Sequence, residues 1–299
     1  MEEPMDLLAL RHFQVVARFE HISRAAAELH VAQPSLSRTI ARLEAELGVP
    51  LFDRRGGVKL NDHGLLLLHH VERALGELDG ARRALQDAGG QGAGTITVAA
   101  ETLLTLTPVL AKFRRVHPQV KVRLFQSSAT EMARQLRAGE VDFCFASQPL
   151  AGTSLDTVEL LTEEVILAMP QHHRLAGRES VRIEELAMEP FVTSRVGHWP
   201  RALLDRLFAA EGLAPTISCE GDEIGAWQDL ISAGLGVGLV PAMSRKVATH
   251  APVSWTRIEA DRCQRVLSLV WRRDAYRSTA AERFNTLATT TPFPTSWTF

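Results

Sequence analysis

The segment Ser23–Arg42, SRAAAELHVAQPSLSRTIAR, constrains the fold of this chain more than any other stretch. Its first half contains three consecutive alanines, a helix-favouring run whose small side chains let a second helix cross closely. Ser23 is predicted to cap this first helix. His30-Val31 then interrupts it, and Pro34 favours the first turn of a second helix that starts near Gln33. The sequence therefore predicts two short helices joined by a turn.

The second helix is predicted to have two different faces. Its apolar residues recur every three or four positions and form one buried stripe, at Leu36, Ile40, Leu43 and Leu47. The opposite side carries hydroxyl and guanidinium groups, at Ser35, Arg38 and Arg42. Such groups bond to phosphates, and arginine can bind a guanine edge through two hydrogen bonds. This face suits a DNA major groove, although the pattern alone also fits an ordinary surface helix of a helical hairpin.

A short basic hairpin is predicted directly after these helices. Residues 51–60, LFDRRGGVKL, place two adjacent glycines at a turn, and glycine pairs favour hairpin turns. Three cations surround this turn, namely Arg54, Arg55 and Lys59. Cations on such a wing suit contact with DNA phosphates.

The two helices and the wing together resemble the LysR-type transcriptional regulators. The matching residues are Ala25, Ala26, Leu29, Gln33, Pro34, Leu36, Ser37, Arg38, Ile40, Leu43, Glu44, Leu47, Gly48, Leu51, Phe52, Arg54 and Gly64. Two positions depart from the family pattern. Ala32 replaces a frequent hydroxyl cap, which costs about 1 kcal/mol of helix stability, and Asn61 replaces a threonine with another good cap.

The resemblance implies that the chain binds double-stranded DNA. The residues assigned to DNA contact are Ser23, Gln33, Pro34, Ser35, Ser37, Arg38, Arg42, Arg54, Arg55 and Lys59. The net charge of −2 does not indicate a nucleic-acid-binding protein. Within residues 1–60 the charges also cancel, because eight basic side chains face eight acidic ones. The prediction therefore depends on where the cations stand, and we expect a dimer or larger oligomer to supply the affinity.

A long helix is predicted after the wing, capped by Asn61 or Asp62 and ending near Ala88. Its apolar residues follow a heptad-like spacing, at Leu68, Val71, Leu75, Leu78 and Leu85. Such a seam usually packs against its own copy, with packing on its own chain as the alternative. The resemblance implies an antiparallel homodimer through this linker helix, and a homotetramer. The glycine-rich residues 89–94 then form a flexible joint.

Beyond residue 94, apolar strands alternate with helices, which is typical of a parallel sheet covered by helices. The strands are predicted at residues 95–99, 120–125, 141–146, 165–169, 191–194, 216–220, 237–240 and 266–271. The helices are predicted at residues 107–116, 130–138, 200–211, 222–233 and 276–288. Two such α/β lobes resemble the periplasmic-binding-protein type II fold, which is the effector domain of the family.

The predicted architecture is therefore multidomain. An N-terminal, all-α winged helix-turn-helix domain spans residues 1–61, and a linker helix with its hinge spans residues 62–93. A two-lobed α/β effector-binding domain follows at residues 94–299. Its lobe I comprises about residues 94–165 and 266–290, and its lobe II about residues 166–265.

A small-molecule effector is expected in the cleft between the lobes, because α/β sheets bind ligands at the carboxyl ends of their strands. The strand ends point to Glu101, Thr102, Ser127, Ser128, Phe145, Thr193, Gly221 and Asp222. The resemblance implies a hydroxyl at the first position, where this chain has Glu101. A carboxylate there would repel anions, so we expect an effector with donor groups or positive charge. For each of these residues, a helix cap or a loop contact is the alternative.

No metal or other cofactor is expected. His69-His70 and His172-His173 are adjacent pairs without a second cluster at ligand spacing. Gly234, Gly236 and Gly238 follow a helix and enter a strand, which indicates tight packing rather than nucleotide binding. The sequence contains no GxxxxGK[ST], HExxH or GxSxG motif, so we expect a protein that is not an enzyme.

The remaining alternatives concern redox chemistry and transport. Cys144, Cys219 and Cys263 are scattered, and buried free thiols are their default state; a thiol-based redox-responsive regulator is one alternative. A solute-binding α/β receptor without a DNA-regulatory role is the other. No apolar run is long enough to span a bilayer, and the chain begins with Met1-Glu2-Glu3, so no membrane partner is expected. We expect a cytoplasmic regulator that binds an interrupted inverted repeat and changes the access of RNA polymerase when its effector binds.

Overall fold

The computed structural model describes residues 6–53, 57–89, 94–152, 154–246 and 252–291. The chain separates into two compact units, one formed by residues 1–89 and 137–140 and the other by residues 90–136 and 141–299. Across the described ranges, no helix combines the length and the apolar character needed to cross a membrane.

The first unit contains the two helices, the wing and the long helix that the sequence predicts. Its helices are α1 (Leu7–Phe19), α2 (Ile22–Glu28), α3 (Gln33–Leu47) and α4 (Asp62–Ala88). Its strands are β1 (Phe52–Asp53) and β2 (Lys59–Leu60), which pair antiparallel. The predicted winged helix-turn-helix architecture is confirmed.

One hydrophobic core joins all parts of this unit. The buried stripe of α3 is formed by Leu36, Ile40 and Leu43, as its spacing predicts. It packs with Phe13 of α1, which is fully buried, and burial of one such aromatic side chain contributes roughly 1.5–3 kcal/mol. Phe52 of the wing packs against Phe13, with 5.6 Å between the ring centroids. The core therefore fixes α3 and the wing on one frame.

The helix caps agree with the sequence prediction in part. The prediction that Ser23 caps α2 is wrong, because α2 begins at Ile22 and the His21 ring accepts the hydrogen bond from the Arg24 N–H. The α3 helix starts after Ala32 without a side-chain cap, as predicted. The α4 helix is capped by Asn61, whose Oδ1 accepts from the Gly64 N–H at 2.9 Å.

The apolar residues of α4 do not all form the predicted dimer seam. Val71 and Leu75 are buried in the core of their own unit, and Leu68 packs against that core. The alternative of packing on the same chain is correct for this part, because α4 covers the core formed by α1 and α3. The large apolar side chains that α4 exposes are Leu65, Leu66, Leu78 and Leu85.

The second unit is built from strands and helices in alternation. Its strands are β3 (Thr95–Ala100), β4 (Lys121–Gln126), β5 (Phe143–Ala146), β6 (Leu155–Pro170), β7 (Ser180–Arg182), β8 (Pro190–Thr193), β9 (Thr216–Glu220), β10 (Gly238–Pro241), β11 (Val253–Glu259) and β12 (Gln264–Arg272). Its helices are α5 (Thr107–Val116), α6 (Ala129–Arg137), α7 (Trp199–Ala210), α8 (Trp227–Ser232) and α9 (Thr279–Thr290). Short 3-10 turns lie at Leu103–Leu106, Ile183–Leu186, Ile224–Ala226 and Ala242–Lys246.

The main sheet is mixed rather than parallel, which corrects the expectation from the strand–helix alternation. Its strand order is β4-β3-β5-β12-β6-β11-β7, and β10 also pairs with β6. The β3 strand pairs parallel with β4 and β5, whereas β12 pairs antiparallel with both β5 and β6. The sixteen residues of β6 run along two lobes, so its neighbours include strands that return in the opposite direction.

Each lobe has its own hydrophobic core. In the first lobe, Phe113, Phe143 and Phe284 pack together, with ring centroids 5.2 Å apart for Phe113–Phe284 and 5.3 Å apart for Phe143–Phe284. In the second lobe, Phe191 and Phe208 meet edge to face at 5.4 Å. The two-lobed architecture is confirmed, and β6 and β12 are the strands that cross between the lobes.

Two of the three glycines around the start of β10 serve packing, as predicted. The third, Gly234, does not, because a Cβ atom there would meet nothing within 4 Å; its φ of +87° is instead the left-handed conformation that favours glycine. A Cβ atom on Gly236 would lie 2.3 Å from the Pro190 carbonyl oxygen, and one on Gly238 would lie 2.8 Å from the Ile231 Cδ1 atom. The backbone at Gly236, just before β10, therefore lies too close to β8 for a side chain, and the first residue of β10 packs closely on α8 and β8.

Candidate DNA-reading face and effector cleft

The polar side of α3 is exposed, and we call it the reading face. It contains Gln33, Pro34, Ser35, Ser37, Arg38 and Arg42, all solvent-exposed. Ser23 of α2 and Lys59 of β2 are exposed as well, whereas Arg54 and Arg55 lie outside the described residues. The apolar stripe of α3 holds the opposite side of the helix in the core, so the reading face is oriented outward by burial.

The arginines of the reading face have guanidinium groups available for a ligand. The Arg38 Nε–H donates only a long hydrogen bond, 3.4 Å, to the Pro34 carbonyl oxygen. In the described part of the chain, Arg42 forms no ion pair. The Ser23 hydroxyl donates to the Gln33 Oε1 atom at 3.1 Å, which ties α2 to the first turn of α3. Two guanidinium groups on one exposed helix face, neither in an ion pair with a described residue, suit phosphate contact or base recognition.

Glu44 positions the wing relative to α3, a role that the sequence alone does not indicate. Its Oε1 atom accepts hydrogen bonds from the backbone N–H groups of Leu51, at 2.8 Å, and Phe52, at 3.3 Å. The second wing strand is held by Glu20, whose Oε1 atom accepts from the Leu60 N–H at 3.2 Å. Glu44 is among the residues that carry the family resemblance, but its spacing alone gives no sign of a backbone partner.

Gly64 allows α4 to begin directly beneath the wing. A Cβ atom at this position would lie 2.2 Å from the Leu51 carbonyl oxygen and 2.6 Å from the Leu60 Cδ2 atom. The Asn61 Nδ2–H group also donates to the Pro50 carbonyl oxygen at 2.9 Å. These contacts fix the start of α4 on the wing.

In the second unit, the strand ends meet at the cleft between the two lobes. Among the residues that the structure describes, three hydrogen bonds join the lobes there. The Trp199 N–H donates to Glu101 Oε1 at 3.1 Å, the Gln148 amide to the Gly197 carbonyl oxygen at 2.9 Å, and the Gln126 amide to the Asp222 carbonyl oxygen at 2.8 Å. The structure therefore has the lobes closed on each other at this point.

Several residues predicted to contact an effector are already engaged. Ser127 and Thr193 are buried, and the Ser128 hydroxyl caps α6 by accepting from the Glu131 N–H at 3.3 Å. Asp222 forms an ion pair with Arg195, and Gly221 N–H donates to the Thr193 carbonyl oxygen at 3.0 Å. For Ser128, the alternative of a helix cap is what the structure shows.

Phe145 lies in the core of the first lobe rather than on the cleft surface. It is buried beside Phe284, with 6.3 Å between the ring centroids. Every residue of β5 is buried, so the alternation of strand faces offers no means of telling which side chain points to the cleft. The expectation that Phe145 faces an effector is therefore wrong.

Glu101 is buried and does not present a free carboxylate, which corrects its predicted role. Only 2% of Glu101 is exposed. Its Oε2 atom accepts from the Ser147 N–H at 3.2 Å, and its Oε1 atom accepts from the Gln148 amide at 3.1 Å as well as from Trp199. Burial raises the pKa of Glu101, while these hydrogen bonds and the charge of Arg265 act in the opposite direction.

A second pair of charged groups lies behind Glu101. The Arg265 side chain, 1% exposed, forms an ion pair with Glu163 at 2.9 Å. Its guanidinium carbon lies 5.5 Å from the Trp199 ring centroid. Burial lowers the pKa of Arg265, and the charges of Glu163 and Glu101 oppose that effect. No sequence signal indicates this cluster, because its members are far apart along the chain.

An open groove extends from the cleft. It has a volume of about 610 Å³ and is lined by residues of both lobes, among them Thr102, Leu104, Leu124, Gln126, Glu223 and Gly225. Of the residues predicted to contact an effector, Thr102 lines this groove. Its largely apolar lining with a few polar groups is typical of small-molecule sites.

The cysteines do not form a reactive pair. All three are free, and Cys144 and Cys263 are buried. Burial raises the pKa of Cys144, and it raises the pKa of Cys263 to about 11. Both thiols are therefore protonated at neutral pH and are weak nucleophiles. Among the described residues, no group of three or more His, Cys, Asp or Glu side chains is arranged to hold a metal ion.

Comparison with known proteins identifies the family. Residues 7–65 match the model of the bacterial regulatory helix-turn-helix protein, lysR family, and residues 89–291 match the LysR substrate binding domain. The chain belongs to the LysR family of transcriptional regulators. It carries both parts of such a regulator, the helix-turn-helix domain and the effector-binding domain.

Relatives along the full length support this assignment. The regulator is 31% identical to the HTH-type transcriptional regulator YybE of Bacillus subtilis over 94% of this chain and 97% of that protein. It is also 31% identical to the regulator AlsR of the same organism, over 90% and 91% of the two chains. The structure of CbnR complexed with its target DNA has the same fold, with a TM-score of 0.61 at 24% identity over 95% and 99% of the chains.

Proposed function

We propose that this LysR-type regulator reads a DNA site through the reading face of α3 and holds the flanking phosphates with the wing. The observation that carries the proposal is the exposed polar side of α3, with Arg38 and Arg42 free of ion pairs in the described part of the chain. Gln33, Ser35 and Ser37 stand beside them as further hydrogen-bonding groups. Ser23 and Pro34 flank this set, and Lys59, Arg54 and Arg55 provide the phosphate contacts.

The regulator acts as a homodimer on an interrupted inverted repeat. A single reading face offers few cations, so two faces are needed for useful affinity. The exposed leucines of α4, Leu65, Leu66, Leu78 and Leu85, provide apolar surface for a second copy. Further pairing gives a homotetramer, whose rearrangement changes the DNA bend and the access of RNA polymerase in the cytoplasm. The family matches at residues 7–65 and 89–291 support domain limits of 1–61, 62–93 and 94–299.

The effector binds in the groove that opens from the cleft, where Thr102 supplies a hydroxyl and the 610 Å³ of space suits a small metabolite. We assign the remaining effector contacts to the polar residues at the other strand ends, namely Thr193, Ser127, Gly221 and Asp222. The redox alternative has less support, because burial raises the pKa of the Cys144 and Cys263 thiols. Because the chain belongs to a family of transcriptional regulators, we propose that it responds to its ligand without converting it.

A selection experiment with a duplex library of random sequence tests this proposal. The full-length protein is incubated with the library, and the bound fraction is sequenced over several rounds. We expect enrichment of an interrupted inverted repeat, and fluorescence anisotropy should then show roughly 10³-fold or tighter binding to it than to a scrambled duplex. Equal affinity for both duplexes would contradict the proposal and favour a solute-binding receptor that lacks a regulatory role.

A further inference from the structure

The α7 helix lacks a cap from its own segment. His198 precedes it and makes no capping hydrogen bond, and Pro200 has no N–H to donate. The Trp199 N–H instead donates to Glu101, which comes from the other lobe. A helix N-terminus carries partial positive charge and unsatisfied N–H groups, so it favours an anion at this place.

The same carboxylate is held from its own lobe. Ser147 donates its backbone N–H to one oxygen of Glu101, and Gln148 donates its side-chain amide to the other. The Gln148 amide also reaches the Gly197 carbonyl oxygen of the second lobe at 2.9 Å. Two of the three hydrogen bonds that join the lobes at the cleft therefore involve Glu101 or its partner Gln148.

Each group that contacts the Glu101 carboxylate is a hydrogen-bond donor, and the buried charge that acts on it is positive. The buried Arg265 interacts electrostatically with Glu101, and its Nε–H has no hydrogen-bond partner among the described residues. Two backbone N–H groups and a side-chain amide around one buried carboxylate, with a buried guanidinium acting on it electrostatically, are the kind of arrangement with which proteins bind small carboxylate ligands. Beyond Cβ, the glutamate side chain consists of a CH₂ group and a carboxylate, the same skeleton as acetate.

We propose that the cleft contains a carboxylate-binding site that this chain fills with its own Glu101, whose carboxylate thereby joins the two lobes. Glu101 is an internal ligand of the site. A small free carboxylate cannot enter while Glu101 is present, and an effector must bind in the adjoining groove or displace the side chain. The proposal concerns the cleft to which the proposed function assigns the effector, and it does not involve DNA.

Removal of the internal ligand should create a site for acetate. In full-length Glu101→Ala, acetate should bind in the vacated space and raise the thermal unfolding midpoint of the effector domain by about 3–6 °C at ten times its Kd. Amide hydrogen exchange at Ser147 and Trp199 should be fast in this variant and slow again with acetate. Sodium chloride at equal ionic strength should have no such effect.

The matched controls are the wild-type protein and Glu101→Gln, which fills the same space without a charge. Neither should respond to acetate. If Glu101→Ala responds no more than the wild type, or if Glu101→Gln responds equally, the proposal is wrong. Should Glu101→Ala fold poorly, Glu101→Ser opens the same space and must show the same rescue by acetate. The acetate measurements use no DNA, so a negative result would contradict the internal-ligand proposal without affecting the proposed DNA binding. A negative result in the DNA selection experiment would likewise leave the internal-ligand proposal untouched.

Discussion

At the scale of single residues, the structure separates groups that face solvent from groups that are engaged inside the protein. Arg38 and Arg42 have exposed guanidinium groups on a helix whose opposite side is buried. Glu101 has the reverse environment, because both of its oxygens accept hydrogen bonds away from solvent. The sequence placed all three residues near a functional site, but only the fold shows which of them can reach a ligand.

The burial of Glu101 predicts a pH dependence of stability. Burial raises its pKa in the folded protein above the ordinary value near 4.5. A carboxyl group with a raised pKa contributes its full stability below the pKa of the unfolded chain and loses it as the pH rises through the folded pKa. The free energy of unfolding of the wild type relative to Glu101→Gln should therefore fall as the pH rises above about 4.5.

Urea unfolding of both proteins across that pH range measures this difference. Since the other titratable groups are common to the two proteins, their effects cancel in the comparison. A relative stability that increases with pH would show that the hydrogen bonds and Arg265 outweigh the burial of Glu101.

At the scale of elements, the wing is held on α3 and α4 by contacts to its backbone as well as by the pairing of its two short strands. Glu44 binds the N–H groups at the start of the wing, and Gly64 lets the first turn of α4 approach Leu51. The sequence predicted the helices of the first unit well because apolar periodicity is a local signal, although it assigned the cap of α2 to Ser23 instead of His21. It could not predict these contacts, which depend on how the elements pack.

The close approach at Gly64 predicts that a methyl group is not tolerated there. Gly64→Ala should destabilise the first unit by roughly 1–3 kcal/mol, because the wing must shift away from α4 to make room. Gly221→Ala is the matched control, since a Cβ atom there would meet nothing within 4 Å, and it should change stability by less than about 0.5 kcal/mol. Chemical denaturation followed by circular dichroism measures both variants. Equal stability of the two would contradict the packing described for the wing.

The wing also predicts how binding depends on salt. Lys59 lies on β2 and is exposed, so Lys59→Ala should weaken binding to all DNA sequences alike. A plot of the logarithm of the DNA-binding constant against the logarithm of the salt concentration has a negative slope. This slope should become shallower by about 1 for each phosphate contact that the substitution removes from the dimer. Anisotropy titrations at several salt concentrations give this slope. An unchanged slope would remove Lys59 from the phosphate contacts.

At the scale of the whole molecule, the domain order and the two-lobed architecture were predictable, whereas the interior of the effector cleft was not. The strand–helix alternation suggested a parallel sheet, but β6 and β12 cross between the lobes and pair antiparallel with their neighbours. The strand ends at Thr102, Ser127 and Thr193 were located correctly along the chain. Whether a side chain in the cleft is accessible to a ligand depends on contacts between residues that are far apart in the sequence. The ion pair between Arg265 and Glu163 is an example.

The dimer surface of α4 was also predicted only in part from the sequence. A heptad-like spacing on α4 predicted one continuous seam, yet Val71 and Leu75 complete the core of their own unit. Periodicity shows which face of a helix is apolar, but it does not show whether the same chain or a second copy covers that face. Leu78 and Leu85 are exposed, so they can still contact a second copy of the chain. The proposed dimer surface therefore lies nearer the C-terminal end of α4 than the continuous seam that the spacing predicted.

The central claim is that the reading face of α3 recognises DNA sequence. Its most direct test compares the wild type with Arg38→Ala on the selected inverted repeat and on a scrambled duplex, with Arg257→Ala as a control that removes an exposed arginine of the second lobe. Arg38→Ala should lose about 1–3 kcal/mol of binding free energy on the selected repeat while its circular dichroism stays unchanged. Its affinity for the scrambled duplex should fall much less, and Arg257→Ala should bind both duplexes as the wild type does. Wild-type affinity and sequence preference in Arg38→Ala would contradict the account.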